Sequence, residues 1–270
     1  MMQQRRVDLM SWPDYAEAVR GGAVVILPVG ALEQHGPHLP MGTDAIFASR
    51  MSEAVAGVIN ALVLPPINYG YKSQARCGGG QTFPGTTSLD GKTMIALVQD
   101  IIRELARHGV QRLLVLDGHY ENQWFLTEAI ELALREMVSQ NRSMRIVRTE
   151  YWDFCPRAVL DEVFNGDFPG FDLEHAALIE TSMMLHWHPE RVAIEKFPPD
   201  ATATFSACDV FPQDGRGVPG SGVLAPVSGA SAEKGAMIIN ATVQAIAAQL
   251  HETFELEKPM PQGRQAGEPA

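Results

Sequence analysis

The sequence predicts an α/β fold with three layers, in which a mostly parallel sheet lies between two layers of helices. Short apolar runs typical of buried strands occur at 23–29, 61–65, 112–117 and 144–152. Between them lie longer segments whose apolar residues recur every three or four positions, as on one face of a helix. Because strands alternate with helices along the chain, the sheet is expected to be mostly parallel.

The helices can be placed in chain order. Ser11 is a favoured N-cap and precedes a proline that the first turn tolerates, so a first helix is expected to begin there. The next three occupy 42–59, 92–109 and 121–138. Gly109 follows His108 and is expected to end the third of these four helices, because glycine readily adopts the C-terminal cap conformation. A last amphipathic helix is expected over 231–255.

We expect a single domain over residues 1–258 and a disordered tail over 259–270, since 270 residues can bury one sizeable core. Two segments rich in Gly, Pro, Ser and Thr, 66–91 and 189–230, interrupt the alternation of strands and helices. Loops of this length inside a domain usually cover a site or contact another subunit.

The composition excludes several classes of function. The formal net charge is −11, and the 21 Lys and Arg residues are scattered, which argues against nucleic-acid binding. No apolar run is long enough for a membrane span or a signal peptide. Three separate cysteines without a C-x-x-C pair predict neither a disulfide framework nor a zinc knuckle. We therefore expect a soluble, cytoplasmic protein.

Carboxylate and imidazole side chains follow two of the predicted strands. Glu33, His35 and Asp44 come after the first strand, whereas His119 and Glu121 come after the third. Sites in parallel sheets form beyond the carboxyl ends of the strands, so these two groups are expected to face each other.

Five such ligands exceed the three that one catalytic zinc takes from a protein. They suit two ions about 3.5–4 Å apart that share a bridging carboxylate such as Asp44. Nitrogen and oxygen ligands without thiolate favour zinc or manganese. The spacing alone fits solvated turns about equally well, because E-Q-H-G and D-G-H are also good turn sequences.

Longer phrases carry a resemblance to a known family. The segments YGYKSQ, FPGTTSLDG, GHYEN, YWDF and EHAALIETS, together with E-x-H and the downstream aspartate, resemble the creatininases, or creatinine amidohydrolases. The resemblance extends along nearly the whole chain. It implies the family's α/β fold, hydrolysis of the ring amide of creatinine to creatine, a binuclear manganese or zinc site, and a homohexamer.

The resemblance also implies ligand sets for the two ions. Glu33, Asp44 and His119 would hold one ion, and His35, Asp44 and Glu121 would hold the other. Asp44 would then bridge the pair.

Catalytic and substrate-binding roles follow from the same resemblance. His175 and Glu121 are implied as catalytic residues, with His175 protonating the leaving ring nitrogen, a role suited to imidazole. From the sequence alone, the preferred interpretation of His175 is a structural histidine in the first turn of the following helix. Substrate contacts are expected from His175 and from Tyr120, Trp152 and Asp172, for each of which a structural role remains an alternative. Asp172 and Glu174 are near enough to pair with a cationic substrate.

Two positions depart from the creatininase pattern. Cys77 stands where a serine that contacts substrate is expected, and Phe171 stands where a second pocket tryptophan is expected. A thiol is a weaker hydrogen-bond partner than a hydroxyl, and phenylalanine has no indole N–H. The alternatives are therefore another small amide, such as a lactam, a hydantoin or a formamide, or a non-catalytic metal-binding scaffold. A Cys77 nucleophile is disfavoured, because no dedicated histidine is evident.

Overall fold

The structure, a computed structural model, describes residues 5–74, 76, 78, 80–140, 142–213 and 215–256. Its sheet has four parallel strands, Val24–Val29 (β1), Ala61–Val63 (β2), Arg112–Asp117 (β3) and Arg145–Glu150 (β4). Their order in the sheet is β2-β1-β3-β4. The predicted α/β fold with a parallel sheet is confirmed, although β2 and β4 are shorter than the apolar runs suggested. The tail predicted over 259–270 lies outside the described residues.

Seven α-helices occur within the described ranges. They are Trp12–Arg20 (α1), Thr43–Val58 (α2), Gly91–Arg107 (α3), Gln123–Ser139 (α4), Arg157–Val163 (α5), Leu178–Trp187 (α6) and Ala232–Thr253 (α7). Ser11 caps α1 as predicted, since its hydroxyl accepts a hydrogen bond from the backbone N–H of Asp14. Gly109 follows α3 with a φ of 87°, a conformation that glycine adopts at little cost.

The core consists of two apolar clusters, one on each face of the sheet. One cluster joins alternate residues of β1 to α2, α6 and α7. The other joins the remaining residues of β1 to α3 and α4. All six residues of β1 are buried, which explains why this strand is continuously apolar. Each fully buried large aliphatic side chain contributes about 1.5–3 kcal/mol, so the sheet centre is a rigid support.

The connections after β1 and β3 leave the sheet on opposite faces. The chain after β1 enters α2 on one face, and the chain after β3 enters α4 on the other. Adjacent parallel strands whose connections diverge in this way leave a crevice at their carboxyl ends. Gly118 lines this crevice, and a Cβ atom there would lie 2.5 Å from the carbonyl oxygen of Asp44. Glycine therefore allows the first turn of α2 to approach the end of β3.

Both long irregular segments reach the same crevice. In the first, the backbone N–H of Tyr71 donates to the Asn122 side chain and that of Gln74 donates to Glu121. In the second, the N–H of Leu224 donates to the carbonyl of His175. No helix among the described residues has the length and apolar character needed to cross a membrane.

Candidate metal centre

The first group of possible ligands joins the ends of β1 and β3 to the first turn of α2. Glu33, Asp44 and His119 are all buried, and one potential ligand atom from each lies within 4.8 Å of the others. Nδ1 of His119 lies 3.2 Å from Glu33 Oε2 and 3.1 Å from Asp44 Oδ2. The three residues predicted to share one ion are therefore together.

The backbone determines which nitrogen of His119 faces this group. Nε2 of His119 lies 3.0 Å from the carbonyl oxygen of Tyr71. Because a carbonyl only accepts, Nε2 carries the proton and donates, which leaves the Nδ1 lone pair directed at the carboxylates. A carbonyl that orients the second nitrogen is the usual support of a metal-binding histidine.

His35 is also oriented by a backbone carbonyl, but here Nδ1 contacts the carbonyl and Nε2 faces the carboxylates. Its Nδ1–H donates to the carbonyl of Glu33 at 3.1 Å. Its Nε2 then lies 2.9 Å from Asp44 Oδ1 and 3.7 Å from Glu180 Oε2. Asp44 thus directs one oxygen toward His35 and the other toward His119, the arrangement that a bridging ligand requires.

Glu180 is a site residue that the sequence analysis missed. It lies in the first turn of α6, is 6% exposed, and belongs to a second group of possible ligands with His35 and His175. The signal in the sequence was a lone carboxylate in the otherwise apolar first turns of ALIETSMML. Such a carboxylate is costly to bury without a cation.

Glu121 occupies a different position from the one expected of a ligand to the second ion. Its Oε2 lies 3.3 Å from Nε2 of His119, on the side of the ring away from Nδ1. Its Oε1 accepts a hydrogen bond of 2.6 Å from the backbone N–H of Gln74. Glu121 therefore sits behind His119, yet it still lines the cavity described below.

The charges of the site call for a cation. Burial raises the pKa of Glu121 to about 8 and that of Glu180 to about 7, and neighbouring carboxylates add to both shifts. Burial alone would lower the pKa of His35, but the charges of Asp44 and Glu180 outweigh it and raise that pKa to about 10. A proton on His35 thus partly balances the carboxylates, a role that a divalent ion can take over.

Unpartnered atoms support the same conclusion. Glu33 Oε1, His35 Nε2 and Asp44 Oδ2 are buried and make no hydrogen bond of good geometry. Buried polar atoms in proteins are nearly always satisfied, so three adjacent exceptions indicate a missing ligand. Hard oxygen and imidazole nitrogen donors fit zinc or manganese.

A cavity of about 70 Å³ opens onto the ligands. Five of the six predicted substrate residues line it, namely Tyr120, Trp152, Phe171, Asp172 and His175. Cys77, the sixth, lies outside the described residues. The cavity is also lined by Tyr151 and Glu174, of which Tyr151 was not assigned from the sequence.

His175, the predicted proton donor, lies at the boundary between the cavity and the second ligand group. Its ring centroid is 4.4 Å from that of His35. Its Nε2 contacts Gln34, 2.9 Å from the backbone oxygen. The crevice therefore brings together all the predicted site residues that the structure describes.

Comparison with known proteins identifies the family. Residues 8–250 match the creatininase family, described as creatinine amidohydrolase. The chain is 46% identical to creatinine amidohydrolase of Pseudomonas putida over 248 residues, which are 91% of this chain and 95% of that protein.

Solved structures agree with this match. A manganese form of creatininase and a zinc–zinc form of a mutant creatininase are 45% and 44% identical to the chain, each with a TM-score of 0.91. A mutant creatininase in complex with creatine is 44% identical, with a TM-score of 0.90. Each alignment covers 93% of this chain and 99% of the solved one. The chain therefore belongs to the creatininase family.

Proposed function

We propose that the chain is a metal-dependent amidohydrolase that opens the ring amide of creatinine to give creatine. The observation that carries this proposal is the position of Asp44 between His35 and His119, each of which directs at it the ring nitrogen that is not bonded to a backbone carbonyl. Two ligand sets that share one carboxylate are the arrangement of binuclear hydrolases. The names of the related proteins, which include zinc and manganese forms and a creatine complex, supply the metals and the substrate.

The geometry supports a specific division of the ligands. Glu33, Asp44 and His119 would hold one ion. Asp44, His35 and Glu180 would hold the other, since Glu180 approaches the free nitrogen of His35. The ligand set expected from the resemblance has Glu121 in place of Glu180. Metal analysis of the variants Glu180→Gln and Glu121→Gln distinguishes these two sets. In the set with Glu180, Glu121 would line the cavity beside Nε2 of His119 and would not hold an ion.

Bound ions would supply Lewis acidity toward the amide carbonyl and lower the pKa of a water molecule toward about 7. The protein's own residues would deliver the proton, bind the substrate and exclude water. His175 would deliver a proton to the ring nitrogen as the C–N bond breaks. Asp172 and Glu174 would attract the polarised amidine N–H groups of the substrate. Trp152 and Phe171 would pack on its ring and exclude bulk water.

A panel of amides tests this function. Creatinine, hydantoins, lactams and formamides would be assayed with protein loaded with zinc or with manganese. We expect creatinine to be hydrolysed, with two ions bound per chain. Absence of creatinine hydrolysis with either metal would refute the proposal. Turnover of another member of the panel would then support the second candidate, another small amide, which Cys77 and Phe171 favour.

Two variants test the roles of single residues. His175→Asn should retain both ions and lose about 10²-fold or more in kcat, the usual effect of removing a general acid or base. Asp44→Ala should lose more metal than Glu33→Ala or His35→Ala, because only Asp44 touches both ligand groups. If Asp44→Ala kept two ions and full activity, the binuclear assignment would be wrong.

We also propose a homohexamer, a cytoplasmic location and a single domain over 1–258. The hexamer rests on the resemblance, and the single domain rests on the core that surrounds one sheet. Among the described residues Cys155 and Cys208 are both free thiols, which fits a reducing compartment. Light scattering coupled to size-exclusion chromatography should give six times the chain mass of 29.5 kDa, and cell fractionation tests the location.

A further inference from the structure

Gln34 lies between two of the proposed ligands, Glu33 and His35, and its side chain contacts His175, a member of the second group of possible ligands. Gln34 is 7% exposed. Its amide makes contacts with three separate parts of the chain, at Gly36, Gly222 and His175. Burying a side-chain amide costs free energy unless its donors and its acceptor are hydrogen-bonded, and these contacts satisfy them.

The orientation of the Gln34 amide is determined by the backbone. Its Oε1 accepts a hydrogen bond of 2.9 Å from the N–H of Gly36, and its Nε2 donates one of 2.8 Å to the carbonyl of Gly222. Exchange of the oxygen and nitrogen positions would break both bonds. Gly222 has a φ of 77°, and a Cβ atom there would lie 2.0 Å from Oε1 of Gln34, so only glycine permits this approach.

The same residue approaches one nitrogen of His175 from two directions. Nε2 of His175 lies 2.9 Å from the backbone oxygen of Gln34 and 3.0 Å from the Nε2 of its amide. The carbonyl can only accept and the amide NH₂ can only donate. A protonated Nε2 therefore bonds to the carbonyl, and an unprotonated Nε2 bonds to the amide.

The geometry around Nε2 favours the first of these two arrangements. An unprotonated Nε2 would place its lone pair 2.9 Å from the carbonyl oxygen of Gln34. With Nε2 protonated, one amide N–H donates to the carbonyl of Gly222. The second amide N–H has another acceptor, the carbonyl of Gly78, at 3.5 Å.

The surroundings of the ring agree with a buried Nε2. The backbone of Gly78 lies against this side of the imidazole, since a Cβ atom at Gly78 would lie 3.2 Å from Cδ2 and 3.3 Å from Nε2 of His175. His175 nevertheless lines the cavity. Nδ1, the other ring nitrogen, is not among the ring atoms nearest to Gly78.

We propose that Gln34 is a positioning residue that keeps the proton of His175 on Nε2 and thereby presents Nδ1 to the substrate. The carbonyl of Gln34 makes the direct contact, and the side-chain amide holds that carbonyl in place through Gly36 and Gly222. This inference rests on the proposed role of His175 in proton transfer. Like the second nitrogen of a metal-binding histidine, Nε2 is here tied to a backbone carbonyl.

Kinetics of two Gln34 variants test the proposal. Gln34→Met keeps the length of the side chain but removes its polar contacts, so kcat for creatinine should fall about 10–100-fold, the usual effect of losing an orienting partner. KM should change by less than about twofold, because Gln34 does not line the cavity. Gln34→Glu should recover part of the loss, since its carboxylate still accepts from Gly36. Gln249→Met, an exposed position on α7, is the matched control.

The tautomer itself can be observed without turnover. Zinc-loaded protein labelled with ¹⁵N-histidine should show His175 protonated at Nε2, with its signals assigned by their loss in His175→Asn. In Gln34→Met, both neutral tautomers should be populated. This measurement remains informative even if creatinine proves not to be the substrate.

Three results would overturn the proposal. The first is a wild-type His175 protonated at Nδ1 alone. The second is wild-type kcat in Gln34→Met. The third is loss of an ion from Gln34→Met, because the effect would then act through the neighbouring ligands Glu33 and His35 rather than through His175.

Discussion

Replacement of Glu180 by glutamine should remove one metal ion and leave the other in place. Glutamine has the same shape as glutamate, so its oxygen can still accept the 2.6 Å hydrogen bond that Glu180 receives from the N–H of Ala176. The lost feature is the negative charge beside His35. The equivalent change at Glu121 should leave both ions bound, because Glu121 faces the protonated side of His119.

The expected loss of affinity for the second ion follows from the distance between Glu180 and His35. Oε2 of Glu180 lies 3.7 Å from Nε2 of His35, the nitrogen that would face the second ion. One unit charge at that distance interacts with another by about 4 kcal/mol at an effective dielectric constant of about 20. This energy corresponds to about 10³-fold in the dissociation constant, and the double charge of the ion makes this a lower bound.

Elemental analysis after dialysis gives the number of ions per chain, and calorimetric zinc titration gives both dissociation constants. We expect two ions for the wild type and for Glu121→Gln, and one tightly bound ion for Glu180→Gln. The unfolding midpoint of the chelator-treated proteins shows whether either variant is damaged in its fold. If Glu121→Gln lost an ion while Glu180→Gln kept two, the ligand set expected from the resemblance would be correct and the geometric argument wrong.

Three further predictions concern stability and specificity. Burial, with the nearby charge of His35, lowers the pKa of His38 from 6.5 to about 4. At His38 the folded state therefore binds fewer protons than the unfolded state between these values, so the contribution of His38 to the free energy of unfolding should decrease by about 3 kcal/mol as the pH falls from 6.5 to 4. Gly235→Ala should destabilise the protein by about 1–3 kcal/mol, because its Cβ would lie 2.1 Å from the Ser182 carbonyl oxygen. The double change of Cys77→Ser and Phe171→Trp should leave kcat/KM for creatinine equal to or above the wild-type value, since each adds a hydrogen-bond donor.

Matched variants control these predictions. In chelator-treated protein, the urea stability of His38→Gln relative to the wild type should rise as the pH falls from 6.5 to 4, and a constant difference would contradict the argument. Gly57→Ala is the control for Gly235, since no atom lies within 4 Å of its added Cβ, and it should stabilise α2 by up to about 1 kcal/mol. A fall in creatinine turnover for the double variant would show that Cys77 and Phe171 are adapted to a different amide.

The amino-acid sequence by itself determined the class of fold and the location of the site. The periodicity of apolar residues depends only on neighbouring positions, so it distinguished the buried strand β1 from the amphipathic helix α3 before any packing was known. The carboxyl ends of parallel strands share one edge, so ligands after β1 and β3 had to meet. The resemblance supplied the grouping of Glu33, Asp44 and His119, which the structure brings together although 86 residues separate the first from the last.

Only the tertiary structure decided how the rest of the site is arranged. Glu180 comes from α6, whose first two turns are buried almost throughout, and the sequence does not say which face of such a helix meets α2. The hydrogen bonds of Gln34 depend on the long segment 189–230, which has no periodicity to predict its course. The nitrogen that each histidine presents depends on a single carbonyl placed within about 3 Å, and such placement results from the packing of the whole chain.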